Sequence, residues 1–215
     1  MWITLKDRRF PIGRAELSAH IPDPYWSAKY NTTQDTRLFW HFELKGERVD
    51  GEEMWEPLVY HQNLRFPIRR WIEVAGQVVE WSTAVDAESN EPNGSFYIRE
   101  HEAISRGRIC FFERDGLRFR FSWTGLCDVF WDEEYGQDVP FSAEGCATFT
   151  GVGVNGSESD TEESLRERLS QSLDIGDFTQ GPLRRGSHTY NDGVGMTDAQ
   201  FTPIVEQEAA PGTSS

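Results

Sequence analysis

Residues 108–132 read RICFFERDGLRFRFSWTGLCDVFWD, and this stretch contains the clearest strand pattern in the chain. Apolar side chains alternate with polar ones in its middle at Leu117, Phe119, Phe121 and Trp123. A period of two places successive side chains on opposite faces, which is typical of a half-buried β-strand. The stretch therefore predicts a strand at the centre of a sheet.

The residues before this strand predict a hairpin. Asp115-Gly116 is a pair that tolerates positive φ at both turn positions, so we expect a two-residue turn there. The preceding strand then runs from Arg108 to Arg114. In that register Phe112 faces Phe119.

A second turn is predicted at Thr124-Gly125, followed by a third strand from Leu126 to Trp131. The register of the third strand stays open. A strict two-residue turn points Asp128 to the same face as Phe121, where a carboxylate needs a partner. A bulged turn reverses every side chain and sends Cys127, Val129 and Trp131 inward. Thr-Gly is a weak two-residue turn, which favours the bulge.

Turn signals at short intervals along the rest of the chain favour a mainly β fold. We expect an antiparallel sandwich or open barrel of about eight to ten strands, in a single domain over residues 1–205. Residues 7–36 contain three prolines and are expected to be mostly loop. Strands are predicted at 70–75 and 77–84, and an irregular apolar segment at 55–60. The stretch beyond Gly181 is Gly-rich and polar, and its apolar side chains are isolated anchors at Tyr190, Met196, Phe201 and Ile204.

One amphipathic helix is predicted at about residues 160–174. Asp160 is placed to cap the amide of Glu163. Leu165, Leu169 and Leu173 form one apolar stripe that can lie on a sheet. Gly176 is placed to end the helix. Residues 206–215 are expected to form a disordered tail.

The charge of the chain is strongly acidic and unevenly distributed. The 215 residues carry a formal net charge of -15, of which residues 132–215 contribute -12. Such a field repels nucleic acid and anionic membranes and attracts basic partners. We therefore expect a basic protein partner, no nucleic-acid partner and no membrane association.

Cysteine usage and the first residues indicate a reducing compartment. The cysteines number three, an odd count, and have no CxxC spacing, which argues against a disulfide framework or a zinc site. The start MWITLKDRRFPIG has no apolar core of the length that a signal peptide or a membrane span needs. A cytoplasmic location is the resulting expectation.

The strongest candidate site is a group of carboxylates after the central strands. Asp132, Glu133, Glu134 and Asp138, with Tyr135 among them, are predicted to bind the basic partner. A solvated loop without a function is the alternative for the same residues. Close carboxylates could also hold a hard cation or carry acid/base chemistry, and Asp128, Asp132, Glu133 and Glu134 would then serve a small metal-dependent hydrolase. The run DEEYGQD lacks the alternation and bend glycine of a calcium loop.

Other chemistry is only weakly indicated. The histidines are scattered, GxSxG is absent, and the cysteines fall in apolar strands, so no catalytic residue, metal site or cofactor is predicted. Tyr25, Trp26, Trp55 and Tyr60 could stack on sugars, although structural use is the commoner role of such rings. The basic and aromatic runs at 69–71 and 118–121 are too short to predict nucleic-acid binding.

These observations favour a non-enzymatic, acidic, cytoplasmic binding protein. An immunity protein that neutralises a basic toxin, such as a nuclease, is a concrete instance, because an acidic surface can occlude a positively charged site. A carbohydrate-binding or carbohydrate-modifying β protein and the small metal-dependent hydrolase are the alternatives.

Overall fold

The computed structural model describes residues 1–23, 37–48, 56–87, 91–98, 100–129, 136–189 and 195–205. In these ranges the chain forms twelve β-strands, one α-helix and two short 3-10 turns. The strands are β1 (Trp2–Leu5), β2 (Arg8–Ile21), β3 (Phe39–Gly46), β4 (Leu58–Leu64), β5 (Val78–Trp81), β6 (Ser95–Tyr97), β7 (His101–Asp115), β8 (Arg118–Val129), β9 (Gly136–Ser157), β10 (Phe178–Gln180), β11 (Arg184–Thr189) and β12 (Gly195–Pro203). The helix α1 spans Glu162–Ser170, and the 3-10 turns span Trp71–Val74 and Ile175–Asp177. The predicted mainly β fold with one helix in the last third of the chain is confirmed.

The twelve strands belong to one sheet that closes on itself through β9. Neighbours follow the order β1-β2-β3-β4-β6-β7-β8-β9-β12-β10, while β5 pairs with β7 and β11 with β12. Strand β9 also pairs with β1 and, in parallel, with β2. Because β9 bonds to the first two strands as well as to β8, the hydrogen-bonded sheet returns on itself around a central core.

Aromatic rings from opposite sides of the sheet fill this core. The ring of Phe42 on β3 lies 5.1 Å from Phe111 on β7, between centroids. The same ring lies 5.0 Å from Phe121 and 5.3 Å from Trp123, both on β8. All four side chains are almost fully buried. Tilted and edge-on ring pairs add about 0.5–1.5 kcal/mol each beyond their buried area. The aromatic residues of the sequence therefore hold the two sides of the sheet together.

The central hairpin forms, but its turn lies one residue later than predicted. Asp115 pairs with Arg118, so the turn residues are Gly116 and Leu117, and Gly116 has a φ of +55°. A bulge between Phe111 and Arg114 then shifts the pairing, so Arg114 rather than Phe112 pairs with Phe119, and Phe111 pairs with Phe121. The prediction missed the bulge, since an extra residue on one strand leaves no local signal.

The predicted second turn at Thr124-Gly125 is wrong. Strand β8 continues through both residues to Val129, and β9 is the third strand of the meander. Gly125 pairs with Gly107, and a Cβ on Gly125 would come within 2.5 Å of the Phe141 ring. The glycine therefore serves close packing of an aromatic ring rather than chain reversal. With no turn, Cys127 and Val129 remain in phase with Trp123 and are buried.

The N-terminal part is more regular than predicted. Residues 8–21, expected to be mostly loop, form the long strand β2. Pro11 is tolerated because it pairs with Trp2 at the end of β1, and the next amide, that of Ile12, donates to the Met1 carbonyl. Pro22 follows directly after the last residue of β2, as a strand terminator should.

Several further predictions are wrong because pairing between strands that are distant in the sequence decides the structure of these segments. Residues 58–60, part of the segment predicted to be irregular, belong to β4, which lies between β3 and β6, and the predicted strand at 70–75 is a 3-10 turn instead. The Gly-rich residues beyond 181 contribute β11 and β12. Pairing with an existing sheet edge overrides weak local propensity in these segments.

Helix α1 and the first 3-10 turn pack against one part of the sheet. Leu165, Leu169 and Leu173 are completely buried, so the predicted stripe is confirmed. The cap is Thr161 rather than Asp160, and its hydroxyl accepts from the Ser164 amide. The helix ends at Ser170, before Gly176.

Candidate functional site

The acidic site that the sequence predicts is partly placed by the structure. Asp132, Glu133, Glu134 and Tyr135 lie outside the described residues. Asp138 lies near the start of β9, is exposed and has a φ of +52°. Its amide donates to Asp128 Oδ1 at 2.9 Å, and the Ser105 hydroxyl donates to its Oδ1 at 3.4 Å. The structure therefore brings Asp128 and Asp138 together.

Asp128 occupies the outward side of β8. Its neighbours Cys127 and Val129 are buried, so the two-residue period places the Asp128 carboxylate on the opposite face, where it is half-buried. The bond from the Asp138 amide satisfies one of its oxygens. Asp128 is thus not the buried core carboxylate that a strict two-residue turn would have produced.

A third carboxylate, Glu102, lies at the start of β7. Burial raises the pKa of Glu102, and the negative charges of Glu100 and Asp128 raise it further. Mutual repulsion of this kind requires carboxylates that are close and not neutralised. We use the name acidic end for Glu102, Asp128 and Asp138, which belong to three neighbouring strands.

Among the residues that the structure describes, no ion pair within 4.0 Å includes a member of the acidic end. The ion pairs of the described residues join other side chains, for example Arg120 with Glu113 and Arg108 with Glu80. The nearby Cys127 thiol is not a nucleophile, because burial raises its pKa to about 12 and the carboxylates of Asp128 and Glu102 act in the same direction. This end therefore offers carboxylates that no described ion pair uses.

An open groove adjoins the acidic end on the outer face of β7, β8 and β9. Its volume is about 790 Å³, and its lining includes Arg106, Leu126 and Pro140. Leu126 and Pro140 face each other across β8 and β9, and each stands two positions from a member of the acidic end, Asp128 or Asp138. The groove, whose lining includes Arg108 as well as Arg106, therefore lies next to Asp128 and Asp138 along β8 and β9.

The metal-site hypothesis keeps only one placed residue, Asp128, since Asp132, Glu133 and Glu134 are outside the described ranges. Within those ranges no group of three or more His, Cys, Asp or Glu side chains is arranged to hold a metal ion.

The aromatic and basic candidates are placed only in part. Tyr60 lies on β4, where its hydroxyl is 3.1 Å from His101 Nδ1, while Tyr25, Trp26 and Trp55 lie outside the described residues. Arg69 donates to the carbonyls of Ser170 and Gln171 at the end of α1. These side chains have structural contacts of their own.

Sequence reasoning missed Glu102 and the groove. Glu102 is separated from Asp128 by 26 positions, and only the pairing of β7 with β8 brings the two close. The sequence does contain one indication of the groove, the glycines Gly107 and Gly125 within strand-like stretches. A glycine in a strand allows an aromatic ring to approach the backbone, as Trp81 and Phe141 do here.

No family model, curated protein or solved structure matches this chain. Among the described residues no helix is long and apolar enough to cross a membrane.

Proposed function

We propose that this protein is a non-enzymatic binding protein that captures a basic protein through its acidic end and the segment Asp132–Tyr135. A toxin-neutralising immunity protein of the cytoplasm, acting on a basic toxin such as a nuclease, is the specific form that we propose. The acidic residues would cover the positive site of the toxin and so prevent it from reaching its substrate.

One observation carries the proposal. The Asp138 amide donates to Asp128 Oδ1 at 2.9 Å, and burial together with the negative charges of Glu100 and Asp128 raises the pKa of Glu102 on the neighbouring strand. None of the three carboxylates of the acidic end forms an ion pair among the described residues. Such an arrangement costs the isolated protein stability, and a cationic partner would relieve that cost. Asp132, Glu133 and Glu134 add three more negative charges between β8 and β9.

The adjoining groove supports a protein partner rather than a small cation. Its Leu126 and Pro140 offer apolar area next to the carboxylates, and protein interfaces combine an apolar centre with a polar rim. Arg106 at the groove requires that the partner carry a hydrogen-bond acceptor or an acidic group opposite it. Arg108 is already paired with Glu80 at 2.9 Å.

The test is charge reversal with a matched control. Glu133→Lys with Glu134→Lys should slow association with the basic partner by at least about tenfold at low salt, because opposite charge acts mainly on encounter rate. Glu163→Lys with Glu167→Lys changes the net charge equally on exposed positions of α1, at the other end of β9, and should have a much smaller effect.

The partner is identified by capture from a cell extract at low salt. A candidate is a protein that binds the wild type and the Glu163/Glu167 control but does not bind the Glu133/Glu134 variant. Stopped-flow mixing then gives the association rates. Equal rates for all three proteins would place the interface elsewhere and contradict the proposal. Turnover of a phosphoester that chelation abolishes would instead favour the metal-dependent hydrolase.

Glu102→Gln separates binding from folding. Because the raised pKa of Glu102 shows that its charge is unfavourable in the folded state, the substitution should leave stability equal or increased. If the acidic end binds the partner, the same substitution should weaken binding. A variant that loses both would indicate a structural role only.

A further inference from the structure

A second pocket lies between β4, β5 and the residues that follow β5. Its volume is about 390 Å³, and its lining is mainly polar. Small-molecule sites occupy roughly 300–1,000 Å³, so this pocket suits a small ligand. None of the residues of the acidic end lines it. We call it the His61 pocket, after the most buried polar side chain in its wall.

His61 presents a hydrogen-bond donor to this pocket. The side chain is only 4 % exposed. The Asn63 amide donates to its Nδ1 at 3.3 Å, so Nδ1 is the acceptor and the proton of the neutral ring sits on Nε2. Burial, with a smaller contribution from nearby His41 and against an opposing effect of Asp86, lowers the pKa of His61 to about 4, so the ring is neutral near pH 7.

Nothing among the described residues accepts a hydrogen bond from His61 Nε2. Its other contact is with the Trp81 ring, edge to face at 5.1 Å between centroids. His61 Nε2 is not one of the fully buried polar atoms that lack a partner, so its N–H is open to the pocket and available to an oxygen atom of a bound molecule.

The remaining walls combine neutral polar groups with one indole. Asn63, Ser82 and Asn93 supply amide and hydroxyl groups. Trp81 is half-exposed, and its own Nε1 donates to the Ile104 carbonyl at 2.9 Å, so the indole offers the pocket only apolar surface. An apolar ring beside several donors and acceptors suits a ligand that has both C–H and hydroxyl groups.

The pocket wall is fixed in place without a ligand. The Asn93 side-chain amide donates to the Thr83 carbonyl at 2.9 Å, and its backbone amide donates to the Ala84 carbonyl at 3.0 Å. Trp81 is held against Gly107, where any Cβ would collide with the indole. Fixed walls reduce the entropy that binding must overcome.

We propose that the His61 pocket binds a small neutral polyhydroxy compound of the monosaccharide class, with a ligand oxygen accepting from His61 Nε2 and a C–H face on Trp81. The charged residues of the lining favour a neutral ligand, because Glu80 is paired with Arg108 and the opposite charges of Arg65 and Asp86 both lie in the wall. This site is separate from the acidic end, so either proposal can fail without the other.

The probes are glucose, galactose and mannose, titrated into the ¹⁵N-labelled wild-type protein. Long-range ¹H–¹⁵N spectra report the two imidazole nitrogens of His61 directly. We expect saturable shifts of the His61 Nε2 signal with at least one probe.

His61→Phe keeps a ring and removes the donor, and it should weaken binding by about tenfold, the change that loss of one hydrogen bond produces. His101→Phe is the matched control, because His101 is an exposed histidine that does not line the pocket, and it should bind like the wild type. If His61→Phe does not fold, the wild-type titration decides alone. Absence of saturable shifts with all three sugars, or equal binding by His61→Phe, would overturn the proposal.

Discussion

At the scale of single residues, Phe119 tests the register of the central hairpin. Its side chain is completely buried, and its ring lies 6.0 Å from Trp71 between centroids. Phe119→Ala should lower the free energy of unfolding by about 3–5 kcal/mol, because it leaves a cavity in the core. The exposed neighbour provides the control, and Arg118→Ala should change stability by less than about 0.5 kcal/mol. Urea unfolding measures both. An unchanged midpoint for Phe119→Ala would show that this ring is not in the core.

His61 makes a second residue-scale prediction, about pH. Its folded pKa of about 4 lies below the ordinary value of 6.5, so between these values the unfolded chain binds a proton that the folded protein does not. Stability should therefore fall as the pH decreases from 6.5 to 4, by about 3 kcal/mol in total from this residue. His61→Gln cannot titrate, so the stability difference between the two proteins should shift by that amount. A constant difference across the window would contradict the assigned burial.

At the scale of elements, the C-terminal third completes the sheet. Helix α1 contributes completely buried leucines, and β12 pairs with β9 over six residue pairs. Deleting residues 160–215 would expose the apolar face under α1 and an edge of β9. We expect the fragment 1–159 to lose cooperative unfolding or to aggregate, as seen by circular dichroism and light scattering. A soluble fragment with one cooperative transition would show that the helix and β12 are appendages.

At the scale of the whole molecule, the net charge of -15 should make binding and stability respond oppositely to salt. Added salt shortens the screening length, so association with a basic partner should slow. The isolated protein should become more stable, because screening reduces the repulsion among its own carboxylates. Stopped-flow rates and urea midpoints at low and high sodium chloride test the two directions. An association rate that does not depend on salt would argue against electrostatic capture.

Local patterns in the chain were sufficient for the class of fold. The two-residue period from Phe119 to Trp123 and the spacing of Leu165 and Leu169 report which face is buried, because burial repeats with the geometry of a strand or a helix. The net negative charge is likewise a property of composition, and counting acidic and basic residues shows that most of it lies in the last third of the chain.

Tertiary structure decided what depends on neighbours distant in the chain. Gly125 looks like a turn signal, yet it lies within β8, because Phe141 on another strand occupies the space of a Cβ. The parallel pairing of β2 with β9 joins segments more than 100 positions apart, and no local pattern encodes it. Glu102 comes near Asp128 only because β7 pairs with β8. His61 is buried because β4 is paired on both sides, with β3 and β6, and local strand propensity did not predict β4. The alternation of apolar and polar side chains is a local pattern that the sequence shows directly. Which strand pairs with which depends on packing across the whole core, so the sequence does not show it locally.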